Sequence, residues 1–414
     1  MRAMKDSGIE WIGRIPRAWQ VVRVKHLATQ KDSLFLDGDW INSDVITTEG
    51  IRYLTSGNVG DGAYKEQGNG HISEETFEKQ NCLKAFPGDL MISRLNEPVG
   101  RCCIIPEGHP FYVVAVDNVI LRPDDGYNKK FIMYCMNTQG YAHAALMAAS
   151  GTTMVRISRT SLGNLTIPVA SVEEQKRIVE YLDTKCAEID ALITAKEKTN
   201  ALLKERRQSI IYEAVTKGLN PDAPMKDSGI EWIGQIPENW STVRVKYTGS
   251  YKSGNTITAA DVKESGNFPV YGGNGLRGYT DEITHDGDHL LIGRQGALCG
   301  NVHMVSGKFW ASEHAVVGTI NANYAIRFLF YVLDVFDLNR LSTSAAQPGI
   351  SVEQITGVVI PCPTFVEQQE IANVLDAKCA EVDELISANE ATIQKLKEYR
   401  QSIIYEAVTG KIEV

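Results

Sequence analysis

The nine residues QSIIYEAVT occur twice in this chain, at 208–216 and again at 401–409. The match continues towards the N-terminus, because LDTKCAEID at 182–190 corresponds to LDAKCAEVD at 375–383 with the same offset of 193 residues. Such self-similarity is the sequence signature of an internal duplication. The segment that ends in QSIIYEAVT is therefore one repeated part of the framework.

A second repeat precedes the first. MKDSGIEWIG stands at 4–13 and, letter for letter, at 225–234, which is an offset of 221 residues. The two offsets differ by 28 residues, so the stretches between the repeated parts have diverged in length as well as in sequence. Two copies are too few for a solenoid, which needs several stacked units to bury a continuous core. We therefore expect a molecule with pseudo-twofold symmetry.

Each copy of the first repeat predicts one long helix. Ser171-Val-Glu-Glu174 and Thr364-Phe-Val-Glu367 match the capping box, in which a hydroxyl and a carboxylate both accept from free backbone N–H groups at the helix start. Neither segment contains Pro or Gly before Gly218 or Gly410. Each helix would have about 44 residues and a length of roughly 65 Å.

Apolar residues in both predicted helices recur alternately four and three positions apart, which is the pattern of a coiled-coil seam. Lys196, Asn200, Asn389 and Arg400 interrupt the seam, where polar groups can fix register at a cost in stability. A helix packed on its own domain would have a similar pattern, but two copies favour an antiparallel coiled coil. The seam consists of Leu182, Cys186, Ile189, Ile193, Leu203 and Ile210, and of Leu375, Cys379, Val382, Ile386, Ile393, Leu396 and Ile403.

The sequences between the repeats, 20–170 and 241–362, predict mixed structure. Helical patterns cover Lys129–Met136 and Ile326–Phe336. Short β-branched and aromatic runs, typical of strands, stand at 113–121, 289–293 and 314–320. The predicted fold class is α+β, with two α/β domains separated by two long helices. The predicted boundaries are 1–170 and 218–363 for the domains and 171–217 and 364–414 for the helices.

The composition is that of a chain with substantial cores, since 43% of the 414 residues are hydrophobic and 22% are charged. No apolar run reaches the roughly 18 residues that a membrane span needs, and MRAMKDSGIEWIG lacks the apolar segment of a signal peptide. We therefore expect a cytoplasmic protein. The eight cysteines include no C-x-x-C pair and are expected to be reduced.

The familiar motifs of catalytic and metal sites are largely missing. There is no phosphate-binding G-x-x-x-x-G-K-[ST] loop, and Asn96-Glu-Pro-Val99 lacks the second proline and the aromatic ring of the adenine methyltransferase motif. His285 and His289 stand four residues apart, but no second ligand pair has zinc-like spacing. We therefore expect a binding protein without a catalytic residue, metal or cofactor of its own. The net charge of −9 argues against retention of a polyanion by bulk attraction.

Motifs at the ends of the two domains resemble those of a known family. A G-x-E-W-I-G-x-I-P-x-x-W entry precedes each domain, at 8–19 and 229–240, and an I-P..E-Q helix start follows each one, at 167–175 and 360–368. The second domain adds PVYGGNGLRGYT at 269–280, LLIGRQGALCGNVH and FWASEHAVV. Over essentially its whole length, the chain resembles the specificity subunit of type I restriction-modification enzymes.

The resemblance implies that DNA recognition and catalysis belong to different subunits. Each domain would be a target recognition domain for one half of a bipartite double-stranded DNA sequence, and the two helices would set the distance between half-sites. The helices would also dock two methyltransferase subunits, to which restriction subunits would be added. S-adenosylmethionine, ATP and Mg²⁺ would be bound by those partners. This chain itself would not be an enzyme.

Base readout requires hydrogen-bond donors and acceptors on rigid loops, and Arg, Asn, Gln, Ser and Thr supply them. Glycines at 272, 273 and 275 would allow the backbone to approach a duplex closely. Each candidate also has an ordinary alternative as a turn or surface residue. The candidates are Thr55, Ser56, Asn58, Arg94, Asn96, Thr152 and Thr153 in the first domain, and Tyr271, Asn274, Arg277, Tyr279, Arg294, Gln295 and Lys308 in the second.

Aromatic residues of the repeats are candidates for packing and for partner contacts. Tyr212 and Tyr405 lie in the identical helix ends, where two identical partners would find equivalent surfaces. The four tryptophans of the repeated entries are expected to pack each domain onto the helices, with a partner interface as the alternative. These tryptophans are Trp11, Trp19, Trp232 and Trp240.

Two other classes of protein remain open at this point. A scaffold that pairs two identical proteins without DNA readout would also use a duplicated coiled coil. A self-sufficient methyltransferase or nuclease would modify DNA as a purified chain. The sequence gives neither the target bases nor the length of the spacer between half-sites.

Overall fold

The computed structural model describes residues 2–95, 98–151, 154–296, 298–342 and 349–414. Its contacts divide the chain into two compact units. Unit 1 comprises Met1–Ala195 with Thr392–Val414, and unit 2 comprises Lys196–Ala391. Within the described ranges, no helix is both long enough and apolar enough to cross a membrane.

Unit 1 contains the first divergent sequence. Its strands are β1 (Met4–Asp6), β2 (Arg14–Pro16), β3 (Gln20–Arg23), β4 (Leu34–Asp37), β5 (Ile51–Leu54), β6 (His71–Ile72), β7 (Leu90–Ser93), β8 (Cys102–Ile104), β9 (Val113–Val114), β10 (Asn118–Arg122) and β11 (Thr166–Val169). Its α-helices are α1 (Glu74–Gln80), α2 (Lys129–Met136), α3 (Gln139–Met147) and α4 (Arg159–Asn164), followed by the long helix α5 (Val172–Lys217), which continues into unit 2. Short 3₁₀ helices cover Val24–Leu27, Ser43–Val45 and Ser56–Asn58.

Unit 2 repeats this order with different loops. Its strands are β12 (Met225–Asp227), β13 (Gln235–Pro237), β14 (Ser241–Arg244), β15 (Gly249–Ser253), β16 (Phe268–Gly272), β17 (Gly275–Thr280), β18 (His289–Gly293), β19 (Val302–Val305), β20 (Trp310–Ala311), β21 (Ala315–Ile320) and β22 (Val359–Cys362). Its helices are α6 (Ile326–Phe336), α7 (Val352–Gly357) and the second long helix, α8 (Phe365–Val408), whose end belongs to unit 1. Short 3₁₀ helices cover Val245–Tyr247 and Leu338–Leu341.

The predicted long helices and the predicted helices 129–136 and 326–336 are confirmed. The predicted capping boxes are only half right. Ser171 Oγ accepts from Glu174 N at 3.3 Å, and Thr364 Oγ1 accepts from Glu367 N at 3.4 Å. The carboxylates of Glu174 and Glu367 instead accept from the indole N–H groups of Trp19 and Trp240, both at 2.9 Å. Each indole is buried and requires a hydrogen-bond acceptor, which explains why the two carboxylates bind the indoles and not the backbone at the helix start.

Trp19 shows how the two long helices pair in unit 1. Its ring lies between Glu174, at the start of α5, and Gly410, which follows the end of α8. Further along, Arg400 forms an ion pair with Asp190 at 3.0 Å. The start of one helix therefore lies beside the end of the other, so the two segments run antiparallel. Gly410 has φ +68°, and a Cβ there would lie 2.5 Å from Pro16.

Unit 2 repeats this arrangement with exchanged helices. Trp240 lies between Glu367, at the start of α8, and Gly218, which follows the end of α5. Arg207 forms an ion pair with Asp383 at 3.2 Å, which is the counterpart of the pair between Arg400 and Asp190. In both units, seam residues of the two helices join the main hydrophobic core.

Polar seam residues contact one another in unit 2. Lys196 Nζ donates to Asn389 Oδ1 at 3.0 Å, and Asn389 Nδ2 donates to Asn200 Oδ1 at 2.9 Å. Asn200 is only 7% exposed. These bonds are satisfied only in one register of the two helices, as the sequence predicted for polar seam positions.

Aspartates on the long helices hold the divergent domains. Tyr134 OH, on α2, donates to Asp183 at 2.8 Å, and Tyr331 OH, on α6, donates to Asp376 at 2.7 Å. The repeated Leu-Asp pair therefore supplies both a core residue and an anchor, since Leu182 and Leu375 are fully buried.

Each unit contains a four-stranded antiparallel sheet, in the order β4-β10-β7-β8 in unit 1 and β15-β21-β18-β19 in unit 2. The run 113–121, predicted as strand-forming sequence, forms two strands in different sheets. Val113 and Val114 pair in parallel with β5, and Asn118–Arg122 pairs with β4 and β7. The turn at Ala115–Asp117 separates them because the chain passes there from one sheet to the other. The predicted strands at 289–293 and 314–320 are observed at 289–293 and 315–320.

Candidate nucleic-acid interface

Several loops of unit 1 meet at one end of its four-stranded sheet. Asp37 and Ser93, which end β4 and β7, pair with Val119 and Asn118 at the start of β10. Leu54, which ends β5, accepts a hydrogen bond from Ala115 N, just before this start. The loops that follow β4, β5 and β7 are therefore neighbours, although they are far apart in sequence.

Backbone hydrogen bonds show that unit 2 has the same construction. Arg94 N donates to Asp117 O and Arg94 O accepts from Ile157 N, whereas Arg294 N donates to His314 O and Arg294 O accepts from Ile350 N. Arg94 and Arg294 therefore occupy equivalent positions, immediately after β7 and β18. By the same register Ser253, which pairs with Val316, is the counterpart of Asp37.

In unit 2, the equivalent loops enclose an open cleft of about 470 Å³. The cleft is lined by the β16–β17 hairpin and by the loop that follows β18, and both segments contain candidate residues from the sequence. The lining residues are Gly273, Asn274, Gly275, Leu276, Arg277, Gln295, Gly296 and His314.

Two glycines allow this hairpin to lie directly on the end of β18. A Cβ on Gly293 would lie 2.1 Å from Gly273 O, and a Cβ on Gly273 would lie 2.8 Å from His314 O. Both distances are shorter than any van der Waals contact, so larger residues would separate the loops. The hairpin itself turns at Gly275, where φ is +93°.

Polar side chains of the cleft are partly paired with one another. Asn301 Nδ2 donates to Asn274 Oδ1 at 3.3 Å, and the ring of His314 lies 2.9 Å from Gln295 Oε1 through its Nδ1 atom. Arg294 Nη1 donates to Ser253 Oγ at 3.0 Å. The side chain of Arg277 is exposed and makes no hydrogen bond or ion pair with the rest of the described chain. The cleft thus offers both donors and acceptors on a close-packed backbone.

The other candidates of the second domain lie outside this cleft. Tyr271 packs edge-on against Phe309 at 5.8 Å and covers a small core. Tyr279 lies in β17 opposite Pro269 and is half-buried. Lys308 is exposed in the turn that follows β19. A DNA-binding role of these three residues stays a prediction.

In unit 1, the arginine at the equivalent position is neutralised. Arg94 is 7% exposed, its Nη1 atom lies 3.1 Å from Asp37, and its Nη2 atom donates to Val116 O at 2.8 Å. Burial lowers the pKa of Arg94, and the charge of Asp37 opposes that shift. Arg94 therefore supports the loop, whereas Arg294 has no carboxylate within ion-pairing distance among the described residues.

Asn58 is also occupied by the protein itself. Its side chain caps the short helix after Thr55 and donates to Lys65 O and Gln67 O, both at 2.9 Å. Thr55 is exposed and Ser56 is half-buried. Of this loop, Thr55 and Ser56 are therefore the better placed for a ligand. Asn96, Thr152 and Thr153 lie outside the described residues.

Several residues at this end of unit 1 were not selected from the sequence. Arg156 pairs with Asp117 at 2.8 Å, and Arg159 lies 3.5 Å from Asp37. Trp40, in the loop after β4, is 70% exposed, and its indole donates to Asn42. Their positions follow from strand pairing, so no local sequence signal could have identified them.

The two histidines that suggested a metal are packing residues. His285 stacks on Phe309 at 5.5 Å, and its Nδ1 atom lies 2.8 Å from Thr284 Oγ1. His289 Nδ1 lies 3.1 Å from Thr319 Oγ1. Burial lowers the pKa of His285. In the part of the chain that is described, no group of three or more His, Cys, Asp or Glu residues is placed to bind a metal ion.

Tyr212 and Tyr405 have different surroundings despite their identical sequences. Tyr212 OH donates to Trp232 O at 3.1 Å. Tyr405 accepts from Lys411 Nζ and lines an open groove of about 410 Å³ in unit 1. The groove is lined by Trp11, Gln139, Gly140, Glu398, Gln401, Ser402 and Tyr405. Trp19 and Trp240 pack in the cores as expected, and Trp11 and Trp232 are half-buried.

Comparison with known proteins identifies the family. A family model described as type I restriction modification DNA specificity domain matches residues 16–204 and 237–398. The EcoprrI specificity subunit of Escherichia coli is 43% identical over 129 residues, which is 30% of this chain and 32% of that protein. The putative MjaX specificity subunit of Methanocaldococcus jannaschii is 25% identical over an alignment of 426 positions, which covers 97% of this chain and 96% of that protein.

Solved structures agree on the fold. One chain, from a study of complex assembly and conformational transition of the type I R-M system, superimposes with a TM-score of 0.74 at 16% identity, covering 96% of this chain and 99% of its own. The HsdS subunit of Thermoanaerobacter tengcongensis has a TM-score of 0.51 at 17% identity and covers 96% and 98%. Because the family model matches most of the chain in two successive segments, this chain belongs to the type I restriction-modification DNA specificity family.

Proposed function

We propose that this chain is the sequence-specificity subunit of a type I restriction-modification complex. Residues 1–170 and 218–363 act as two target recognition domains, and each binds one half of a bipartite double-stranded DNA sequence. The helices 171–217 and 364–414 hold these domains. The observation that carries the proposal is that two loop clusters of equivalent construction present different side chains.

The two clusters differ in ways that suit two different half-sites. In unit 2, Arg277, Gln295 and Asn274 line the cleft, and such side chains pair with guanine and adenine edges in the major groove. In unit 1, Thr55 and Ser56 belong to the loop after β5, and the same end of the unit carries the ion pair between Arg156 and Asp117. Tyr271, Tyr279 and Lys308 are assigned to flanking contacts of the second domain.

Phosphate attraction is weak in this proposal. Residues 241–350 contain 9 Lys and Arg against 9 Asp and Glu, so this part of the second domain is neutral and not basic. Because affinity for DNA depends largely on phosphate neutralisation, the specificity subunit needs partners that add positive charge around the duplex. The base contacts then supply discrimination rather than most of the affinity.

Two methyltransferase subunits are the proposed direct partners, and restriction subunits join the resulting core. The groove beside Tyr405 and the helix end at Tyr212 are the proposed contacts, because both combine aromatic rings with exposed polar groups. S-adenosylmethionine, ATP and Mg²⁺ are assigned to the partner subunits. This chain contributes recognition and no catalytic group.

Genome-wide mapping of methylated adenines tests the proposal. Cells that contain the methyltransferase subunits are compared with and without this chain. The expected result is methylation at one motif that consists of two defined parts and an unspecific middle, and only when the chain is present. Methylation by the purified chain alone would indicate an enzyme. An unchanged pattern together with a stable complex would indicate a scaffold without DNA readout.

A further inference from the structure

Arg101 joins two of the loops that meet at the end of the four-stranded sheet in unit 1. Its Nε atom donates to Val59 O at 2.8 Å, and its Nη2 atom donates to Ser56 O at 3.0 Å. Its Nη1 atom donates to Pro98 O at 3.1 Å and to Leu95 O at 3.4 Å. One guanidinium therefore binds carbonyl oxygens of the loop after β5 and of the loop after β7.

The environment of Arg101 makes these bonds important. The residue stands directly before β8, and its side chain is half-buried. Burial lowers the pKa of the guanidinium, although arginine stays charged in proteins. A partly desolvated cation must keep its hydrogen-bond acceptors, so the carbonyl groups of both loops are held at fixed positions around it.

Unit 2 has a different residue at the same position. Ser93 N donates to Arg101 O, and Gly293 N donates to Asn301 O, which makes Arg101 and Asn301 equivalent. Asn301 again connects the loops after β16 and β18, because its side chain binds Asn274 on the hairpin. Among the described residues, the position thus links the two loops in both units, through carbonyl contacts in unit 1 and an amide contact in unit 2.

We propose that Arg101 is a positioning residue that determines the base specificity of the first recognition domain, an inference that rests on the proposed function. The described hydrogen bonds of its guanidinium are made to carbonyl oxygens of the chain itself. It acts by fixing the spacing between Ser56 and the loop at Leu95. Base readout needs contact groups held within about 0.5 Å of their productive geometry, so loops that are free to separate lose discrimination first.

The test uses the full chain with its methyltransferase subunits in cells, and the mapped motif of methylated adenines is the readout. Arg101→Met keeps the aliphatic volume and removes all donors. We expect discrimination in one half of the motif to fall by about 5-fold to 150-fold, the range for one misplaced bidentate base contact, while the other half keeps its sequence. Asn301→Ala is the matched variant and should relax only the other half.

The variant Arg101→Lys distinguishes a role of Arg101 in loop positioning from a contribution of Arg101 to the stability of the whole fold. A lysine keeps the charge but cannot bind four carbonyl groups in a fixed plane, so it should restore the first half only in part. The unfolding midpoint of each purified variant is measured in parallel. A variant that is destabilised but methylates the unaltered motif at lower yield would overturn the inference, because a purely structural residue affects both halves equally.

The motif measured with the unaltered chain distinguishes failure of the proposed function from failure of the role proposed for Arg101. If the unaltered chain gives no bipartite motif, the proposed function itself is wrong. If the unaltered chain gives the motif and Arg101→Met leaves both halves intact, only the role of Arg101 is wrong. Relaxation of the same half by Arg101→Met and by Asn301→Ala would also contradict it.

Discussion

At the scale of single residues, two arginines at equivalent positions of the two units differ in their bonding partners. Arg94 and Arg294 follow equivalent strands, but Asp37 neutralises the first, whereas Ser253 leaves the charge of the second available. A buried ion pair fixes a loop, and an arginine bound only to a hydroxyl can still bind a guanine edge. The two equivalent positions therefore differ in one respect, since one arginine pairs with a carboxylate and the other binds a neutral hydroxyl.

Ser253→Asp should give Arg294 the environment of Arg94. We expect the new carboxylate to capture the guanidinium and to reduce discrimination at the second half-site by about 1–3 kcal/mol. Competition binding of the assembled complex with duplexes altered in one half-site measures this loss. Ser253→Ala is the control, because it removes one hydrogen bond without adding charge. Equal losses in both variants would show that charge capture is not the cause.

Asp124 gives a pH-dependent contribution to the stability of unit 1. Burial raises the pKa of this carboxyl, but hydrogen bonds from Ser33, Gln30 and Thr29 outweigh burial and lower the pKa to about 2. Because the folded pKa lies below the ordinary value of 3.8, the stabilisation is complete above about pH 4. It is lost as the pH falls through about 2.

Asp124→Asn removes the charged acceptor of these bonds. We expect the variant to lose about 1.5–3 kcal/mol of stability at pH 7 and to show a weaker loss of stability between pH 4 and pH 2 than the unaltered chain. Denaturant unfolding at several pH values measures both effects. Asp125→Asn is the control, since Asp125 is exposed next to it. A loss of stability that does not depend on pH would contradict the assignment.

At the scale of elements, the long helices combine local determinants with a few specific contacts. The absence of Gly and Pro and the apolar spacing make them helical, and Asp183 and Asp376 join them to α2 and α6. The hydrogen bonds among Lys196, Asn389 and Asn200 fix the register of the two helices. A fully apolar seam would be satisfied by more than one alignment of the two helices.

Substitution of the polar seam should be strongly non-additive. Asn389→Leu leaves the buried Asn200 side chain without its partner and should cost about 1–3 kcal/mol. The double variant Asn200→Leu with Asn389→Leu should recover the part of this loss that comes from the unpaired Asn200, whereas Lys196 still lacks the acceptor that Asn389 supplied. Denaturant unfolding of the single and double variants forms the thermodynamic cycle. Additive losses would mean that the two asparagines do not act as a pair.

At the scale of the whole molecule, charge limits what the chain can do alone. The net charge is −9, and residues 241–350 of the second domain include equal numbers of positive and negative residues. Specificity and affinity are therefore expected to reside in different subunits. In the proposed function, this chain would supply base contacts, and its partners would supply most of the contacts to phosphate.

DNA binding across a salt series tests this division. We expect the isolated chain to bind duplex DNA weakly and with a shallow dependence on salt. The complex with methyltransferase subunits should bind more tightly, and its affinity should fall steeply as salt rises, because each neutralised phosphate contributes about −0.9 to the logarithmic slope. Fluorescence anisotropy with one duplex measures both. Comparable affinity and slope with and without partners would contradict the expectation.

The sequence alone determined the helical framework and the family. The long helices can be predicted without the tertiary structure, because their determinants act over neighbouring turns. These determinants are the capping residues, the lack of Gly and Pro between Val172 and Lys217, and the apolar spacing. The tertiary structure decided which loops meet. Thr55, Arg94 and Arg101 come together through pairing between distant strands, and the run 113–121 is divided between two sheets, because strand pairing is non-local and leaves no periodic signal in either partner. The equivalence of Arg94 with Arg294, and of Arg101 with Asn301, is visible only in shared backbone hydrogen bonds.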